Sequence, residues 1–238
     1  MVMSNNYFQF KQFTIHQDQC AMKVSTDACI QGAWVQIPIT SKRVLDLGCG
    51  TGLLTLMLAQ RHPNCTIDAI EIDEMASVEA KQNFDLSPYA KQINLIHADA
   101  LSYNFETRYD FIICNPPFFS NSLKGPDTAR NRARHQQELT LEKLVSLFQQ
   151  LTNSQAEIGI LLPVDEFLKF EQLLLTQGWF VNRKLSIQPN SSKAPNRIVA
   201  ICSSVNTNCK QEELIIYNEE RTYTNAFIQL LSPYYLNL

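Results

Sequence analysis

Four consecutive residues, Asn115-Pro116-Pro117-Phe118, hold the most specific chemistry in the chain. They follow an apolar run, Tyr109–Cys114, that reads as a buried strand. Each proline fixes its own φ and pushes the residue before it away from helical angles, so the corner is extended and stiff. Neither proline donates an N–H, yet the Pro116 carbonyl remains a good acceptor and the Asn115 side chain supplies another. Two acceptors beside an aromatic ring suit a planar group bearing –NH2. The acceptors orient its nitrogen and favour a transition state in which the hydrogens become more acidic. Asn115, Pro116 and Phe118 are therefore the candidate catalytic residues, and Pro117 is a candidate substrate contact. Two prolines that simply end a strand explain the same residues without chemistry.

A second segment, Asp46-Leu47-Gly48-Cys49-Gly50-Thr51-Gly52, lies between a predicted strand (Arg43–Leu47) and a predicted helix (Leu53–Arg61). Only seven glycines occur in 238 residues, and three of them fall here. Such a turn lets a ligand approach the backbone closely, beside the free N–H groups of a helix N-terminus. The third glycine comes one position too early for a dinucleotide fingerprint, which disfavours a pyrophosphate site. Glu71 closes the next strand, 19 residues past Gly52. An acid there can accept hydrogen bonds from ribose hydroxyls. Asp99, after a third short strand, can accept one from an adenine amino group.

Strands and helices alternate from Arg43 onward. Helices are expected at Met75–Asp85, Leu139–Leu151 and Asp165–Gly178, and strands at Thr66–Ile72, Ile93–Ile96, Ile158–Leu162, Phe180–Ile187 and Arg197–Cys202. Leu214–Tyr217 reads as a further strand and Ala226–Leu231 as a short helix. Alternation implies an open, mostly parallel α/β sheet with helices on both faces. The loop Gln188–Asn196 is too short for a helical crossover, so the strands flanking it form an antiparallel hairpin, expected at one edge. Ligands in such sheets sit beyond the carboxyl ends of the strands.

Composition narrows the classes. Hydrophobic residues make up 45% and charged residues 18%, with a net charge of -3. This is ordinary for a globular chain and does not make the whole surface a nucleic-acid magnet. No apolar run approaches the ~18 residues that span a bilayer. Seven cysteines without a CxxC pair, and four scattered histidines, give no metal or disulfide framework and point to free thiols in the cytoplasm. One domain over 1–238 is expected, with residues 1–31 as a cap and 204–238 as an extension.

Taken in order, the glycine loop, Ala69-Ile70-Glu71-Ile72-Asp73 and Asp99-Ala100 resemble the cofactor site of class I S-adenosylmethionine-dependent methyltransferases. The resemblance covers about Val24 to Cys202 and implies a Rossmann-like sheet of about seven strands. It also implies S-adenosyl-L-methionine as cofactor, with Asp46, Gly48, Gly50 and Gly52 against the methionyl part, Glu71 at the ribose, Asp99 at the adenine, and Ile72 and Ala100 among the cofactor-binding residues. Asn115 borders both cofactor and acceptor. The proline corner resembles that of enzymes methylating adenine N6, cytosine N4 or a protein glutamine. Met22–Ala28 resembles a segment of a bacterial RNA methyltransferase subgroup in which Lys23, Thr26 and Asp27 cover the cofactor pocket; capping of the helix that follows explains these residues equally well.

Lys124–His135 carries four positive charges and one negative, and Lys124, Arg130, Arg132 and Arg134 suit phosphates. Arg183, Lys184, Lys193 and Arg197 can extend this basic face. As a whole the chain most closely resembles the bacterial tRNA(Val) adenosine-37 N6-methyltransferases. That implies a tRNA substrate; no membrane and no obligatory metal are expected, and a monomer is favoured although the sequence does not give the oligomeric state. The alternatives are an N5-glutamine methyltransferase of a translation factor and a non-catalytic S-adenosylmethionine-binding, RNA-binding protein.

Overall fold

A computed structural model describes residues 6–20, 22–117 and 139–238. The first local structure is a small antiparallel hairpin, β1 (Tyr7–Gln9) with β2 (Thr14–His16). Helix α1 (Thr26–Trp34) follows, its Ser25 side chain capping the first turn by accepting from the Ala28 N–H. Then come β3 (Arg43–Leu47), α2 (Leu53–Arg61), β4 (Thr66–Glu71), α3 (Glu74–Asp85), β5 (Ile93–His97) and β6 (Tyr109–Cys114). The second half contains α4 (Leu141–Leu151), β7 (Thr152–Pro163), α5 (Val164–Thr176), β8 (Phe180–Asn190), β9 (Arg197–Ser203), β10 (Lys210–Tyr217) and α6 (Asn225–Leu231).

Among the described residues, eight strands form the main sheet in the order β10-β8-β9-β7-β6-β3-β4-β5. Every pairing is parallel except those of β9, which is antiparallel to both β7 and β8. The fold is the open, Rossmann-like and mostly parallel α/β sheet expected from the sequence, with two differences. The β8–β9 hairpin does not form the edge, because β10 adds outside β8. The chain after Cys202 thus supplies an eighth strand and α6, whose Phe227 and Leu231 are buried.

Side chains alternate across the strands and build two cores. Val44, Phe111 and Ile113 face α1, α2 and Phe84 of α3, while Leu45, Leu47, Ile112 and Cys114 face α4 and α5. The amphipathic α4, with Leu144, Val145, Leu147 and Phe148 buried, caps the second core. No helix among the described residues is long and apolar enough to cross a membrane.

The hairpin and residues 17–20 are tied to α3 by two buried polar side chains one turn apart. Glu79 accepts from the N–H groups of Asp18, Gln19 and Cys20. Asn83 accepts from His16 N–H and donates to the carbonyls of His16 and Thr51, each donation at 2.9 Å. The other side of the hairpin meets the tail, where Lys11 N–H donates to the Tyr234 carbonyl at 2.8 Å and Phe10 bridges to Tyr235. The Tyr234 hydroxyl in turn donates to the Met57 carbonyl on α2 at 3.1 Å.

Candidate active site

The glycine turn is pinned from below. Gly48 and Cys49 both donate to the Ile70 carbonyl at the end of β4, at 2.9 and 3.0 Å. Glu71 Oε2 accepts from Gly50 N–H at 2.8 Å, and its Oε1 accepts from Asp73 N–H at 2.9 Å. One buried carboxylate therefore holds the turn against β4 and orients Asp73, which caps α3 by accepting from Ala76 N–H. Gly48 and Gly50 have φ of +75° and +54°; a Cβ on Gly48 would meet nothing within 4 Å, and one on Gly50 only Cys20 Sγ, at 3.7 Å. The space above both is open. Gly52 faces the other way: its φ is +82°, and a Cβ there would lie 2.2 Å from the Phe84 ring. Its bareness serves the packing of α2 on α3.

A cavity of about 320 Å³ sits over this turn, at the carboxyl ends of β3 and β6. Its wall brings together Lys23, Asp27, Gly48, Gly50 and Asn115 from the sequence-predicted set, with Arg197 added from the start of β9. Thr26, Asp46, Gly52, Glu71, Ile72, Asp99 and Ala100 are not in that wall. Ile72 lies one residue beyond β4 and is 63% exposed, an apolar platform beside Glu71. Asp99 spends one oxygen on the Leu101 N–H at 2.9 Å, closing the turn after β5. Pro116 is buried and Pro117 exposed. Phe118, Lys124, Arg130, Arg132 and Arg134 lie outside the described residues.

The residues present fit the cofactor implied above. Asp46 is fully buried; its Oδ2 accepts from Thr55 Oγ1 at 2.6 Å, while its Oδ1 has no hydrogen-bond partner among the described residues. Asp46 thus lies beneath the turn, while the open backbone cradle at Gly48 and Gly50 leaves room for the ligand above it. Burial pushes the Asp46 carboxyl up to about 7, opposed by the Thr55 hydrogen bonds.

The sign of the pH dependence follows. The folded chain retains a proton that the unfolded chain has lost, so the stabilising contribution is complete below 3.8 and disappears as pH rises through about 7. Urea unfolding should show wild type losing stability relative to Asp46→Asn across that interval, by at most about 1.4 kcal/mol per pH unit. A constant difference would show that Asp46 does not titrate there.

Sequence reasoning missed three positioning side chains. Gln31 on α1 is buried and donates to the carbonyl of Cys114 at 2.9 Å, immediately before Asn115, and to that of Gly159 at 3.4 Å. Glu79 and Asn83 hold the N-terminal segment as described. The available signal was a polar residue inside an otherwise apolar helix face, as in Ala28-Cys29-Ile30-Gln31. The basic face is also revised. Arg183 pairs with Glu212 at 3.1 Å and covers the Trp34 ring at 4.6 Å, far along β8 from its carboxyl end. Lys193 and Arg197 do lie at that end, in and just after the β8–β9 turn.

Residues 32–142 match the family model described as the methyltransferase small domain. Proteins named tRNA1(Val) (adenine(37)-N6)-methyltransferase are similar along the whole chain. The one from Dyadobacter fermentans is 39% identical over 98% of both chains, and that from Bacteroides thetaiotaomicron is 38% identical over 99% of this chain and 100% of its own. Among solved structures, a predicted O-methyltransferase from Agrobacterium tumefaciens covers 90% of this chain and 100% of its own, with a TM-score of 0.64 at 15% identity. A ribosomal protein L11 methylase from Lactobacillus delbrueckii covers 79% and 82%, with a TM-score of 0.55 at 17% identity. These two speak for the fold.

Proposed function

Because this chain belongs to the family of tRNA1(Val) (adenine(37)-N6)-methyltransferases, we propose that it methylates the exocyclic N6 of adenosine 37 in a tRNA(Val). The observation that carries the reading is that Asn115 lines the same cavity as Gly48 and Gly50. A group held at the proline corner thus meets whatever lies over the glycine turn.

S-adenosylmethionine, when bound, supplies an electrophilic methyl carbon on a sulfonium sulfur. Gly48, Gly50 and Asp46 would hold its methionyl part, Glu71 its ribose, and Ile72 and Asp99 its adenine. Asn115 Oδ1 accepts one hydrogen of the target N6 and the Pro116 carbonyl the other. As N6 gains its fourth substituent, positive charge develops there and both bonds strengthen. The extra proton then leaves N6 for solvent, which leaves a neutral secondary amine. No ionised base is required, because alignment supplies most of the help. An adenosine in an anticodon loop must be turned out of its stack to reach such a corner.

The test is methyl transfer from labelled cofactor to an unmodified tRNA(Val) transcript, mapped by mass spectrometry. One N6-methyladenosine per tRNA at position 37 is expected, and none when that adenosine is replaced by guanosine. Label found only in protein, as a glutamine methyltransferase would leave, or at another nucleotide would refute the assignment. Cofactor binding with no turnover on any RNA or protein pool would identify the chain as a binding protein.

A further inference from the structure

Arg197 reaches the cofactor cavity from an element that the sequence places far from it. It opens β9, which runs antiparallel to its neighbours β7 and β8, and pairs in register with Pro163 at the carboxyl end of β7. An antiparallel strand begins where its parallel neighbours finish, so its first side chain stands at the ligand end. There its Nε lies 3.2 Å from Asp27 Oδ2 on the first turn of α1. Its Nη1 donates to the Asn196 carbonyl at 2.9 Å, which orients the guanidinium. Both side chains are about three-quarters buried, at 23% and 27% exposure, and both residues line the cavity over Gly48 and Gly50. Burial raises the Asp27 carboxyl, and the charge on Arg197 opposes that rise.

We propose that Arg197 and Asp27 together read the amino-acid end of the cofactor: the guanidinium takes its carboxylate and the Asp27 carboxylate takes its ammonium. This rests on the methyltransferase reading above. The group to be recognised is a zwitterion, and the pair in the wall carries the complementary charges, already partly desolvated and borne on two separate elements, α1 and β9. A charged pair that exchanges partners keeps every charge compensated before and after binding. The device also joins the two halves of the sheet. Asp27 belongs to the helix beside the glycine turn, and Arg197 to the strand next to the acceptor side, so the methionyl end sits at their seam.

Calorimetry on the full chain tests this with two ligands. S-adenosylhomocysteine carries the amino-acid group; 5′-methylthioadenosine keeps the nucleoside and thioether but lacks it. Arg197→Ala is expected to weaken S-adenosylhomocysteine about tenfold or more and 5′-methylthioadenosine less than about threefold, with partial recovery in Arg197→Lys. Equal weakening of both ligands would overturn the inference, because Arg197 would then only brace β9 against α1. Unchanged binding of both, with a raised KM for tRNA that falls at low salt, would overturn it too, by assigning Arg197 to an RNA phosphate. If the wild-type chain bound neither ligand, the cofactor site itself would be refuted.

Discussion

Asn115→Ala will lower kcat for tRNA methylation by about 10²–10³-fold, the loss typical when one preorganised polar partner of a developing charge is removed. Asn115 stands at the end of β6 on the wall of the glycine cavity, with Gln31 holding the Cys114 carbonyl just before it. Alanine leaves the prolines and the strand in place, so the fold should survive. The N6 hydrogens keep only the Pro116 carbonyl, and the nitrogen is free to rotate back toward conjugation with its ring. Asn115→Asp retains an oxygen at the same place and should lose less activity than alanine. Single-turnover kinetics beside calorimetry separate the effects: the chemical step should collapse while the affinity for S-adenosylhomocysteine moves by less than about fivefold. If affinity falls in proportion to rate, Asn115 holds the cofactor and does not orient the acceptor.

Gly52→Ala should cost about 3 kcal/mol, combining overpacking with a left-handed backbone angle. The added carbon would lie 2.2 Å from Phe84 Cε1, on a residue with φ of +82°. Phe84 is 3% exposed and packed on all sides, so the ring cannot simply swing away. In a chain of this size the change corresponds to a fall in Tm of roughly 6–12 °C. Gly178→Ala is the matched control: φ is +71° there, but nothing lies within 4 Å of the new carbon. It should cost only about 1–2 kcal/mol. Equal losses at the two positions would show that backbone angle alone matters and that α2 and α3 are not locked at Gly52. Because Gly52 donates to the Cys49 carbonyl, the displaced turn should also bind cofactor more weakly than wild type.

How far the fold could be read in advance depended on how local its causes were. Arg43–Leu47, Leu53–Arg61 and Tyr109–Cys114 were legible to the residue, because apolar periodicity and the glycine and proline breaks all lie within each segment. β1 and β2 were not, since three-residue strands carry no period and stand on Asn83 and Tyr235, far away in the chain. β7 begins six residues before the expected Ile158, because its polar start, Asn153-Ser154-Gln155, lies where the register to β6 jumps. β10 likewise starts at Lys210 rather than Leu214, as an edge strand tolerates Lys-Gln-Glu-Glu on its open side. The same division holds in the site. The strand-end segments were visible because each is contiguous. Gln31 acts on a carbonyl 83 residues away, and Arg197 meets Asp27 only through the sheet order, so neither left a local mark.

The lock between the hairpin and the tail sets the order in which the molecule can mature. Lys11 and Ser232 are bonded across 221 positions, and the hairpin they secure leads into Met22–Ser25 on the cavity wall. A nascent polypeptide on the ribosome can therefore assemble the central sheet well before it can finish that wall. Residues 234 and 235 are made after every strand of that sheet, so the wall is secured only once they dock on the hairpin.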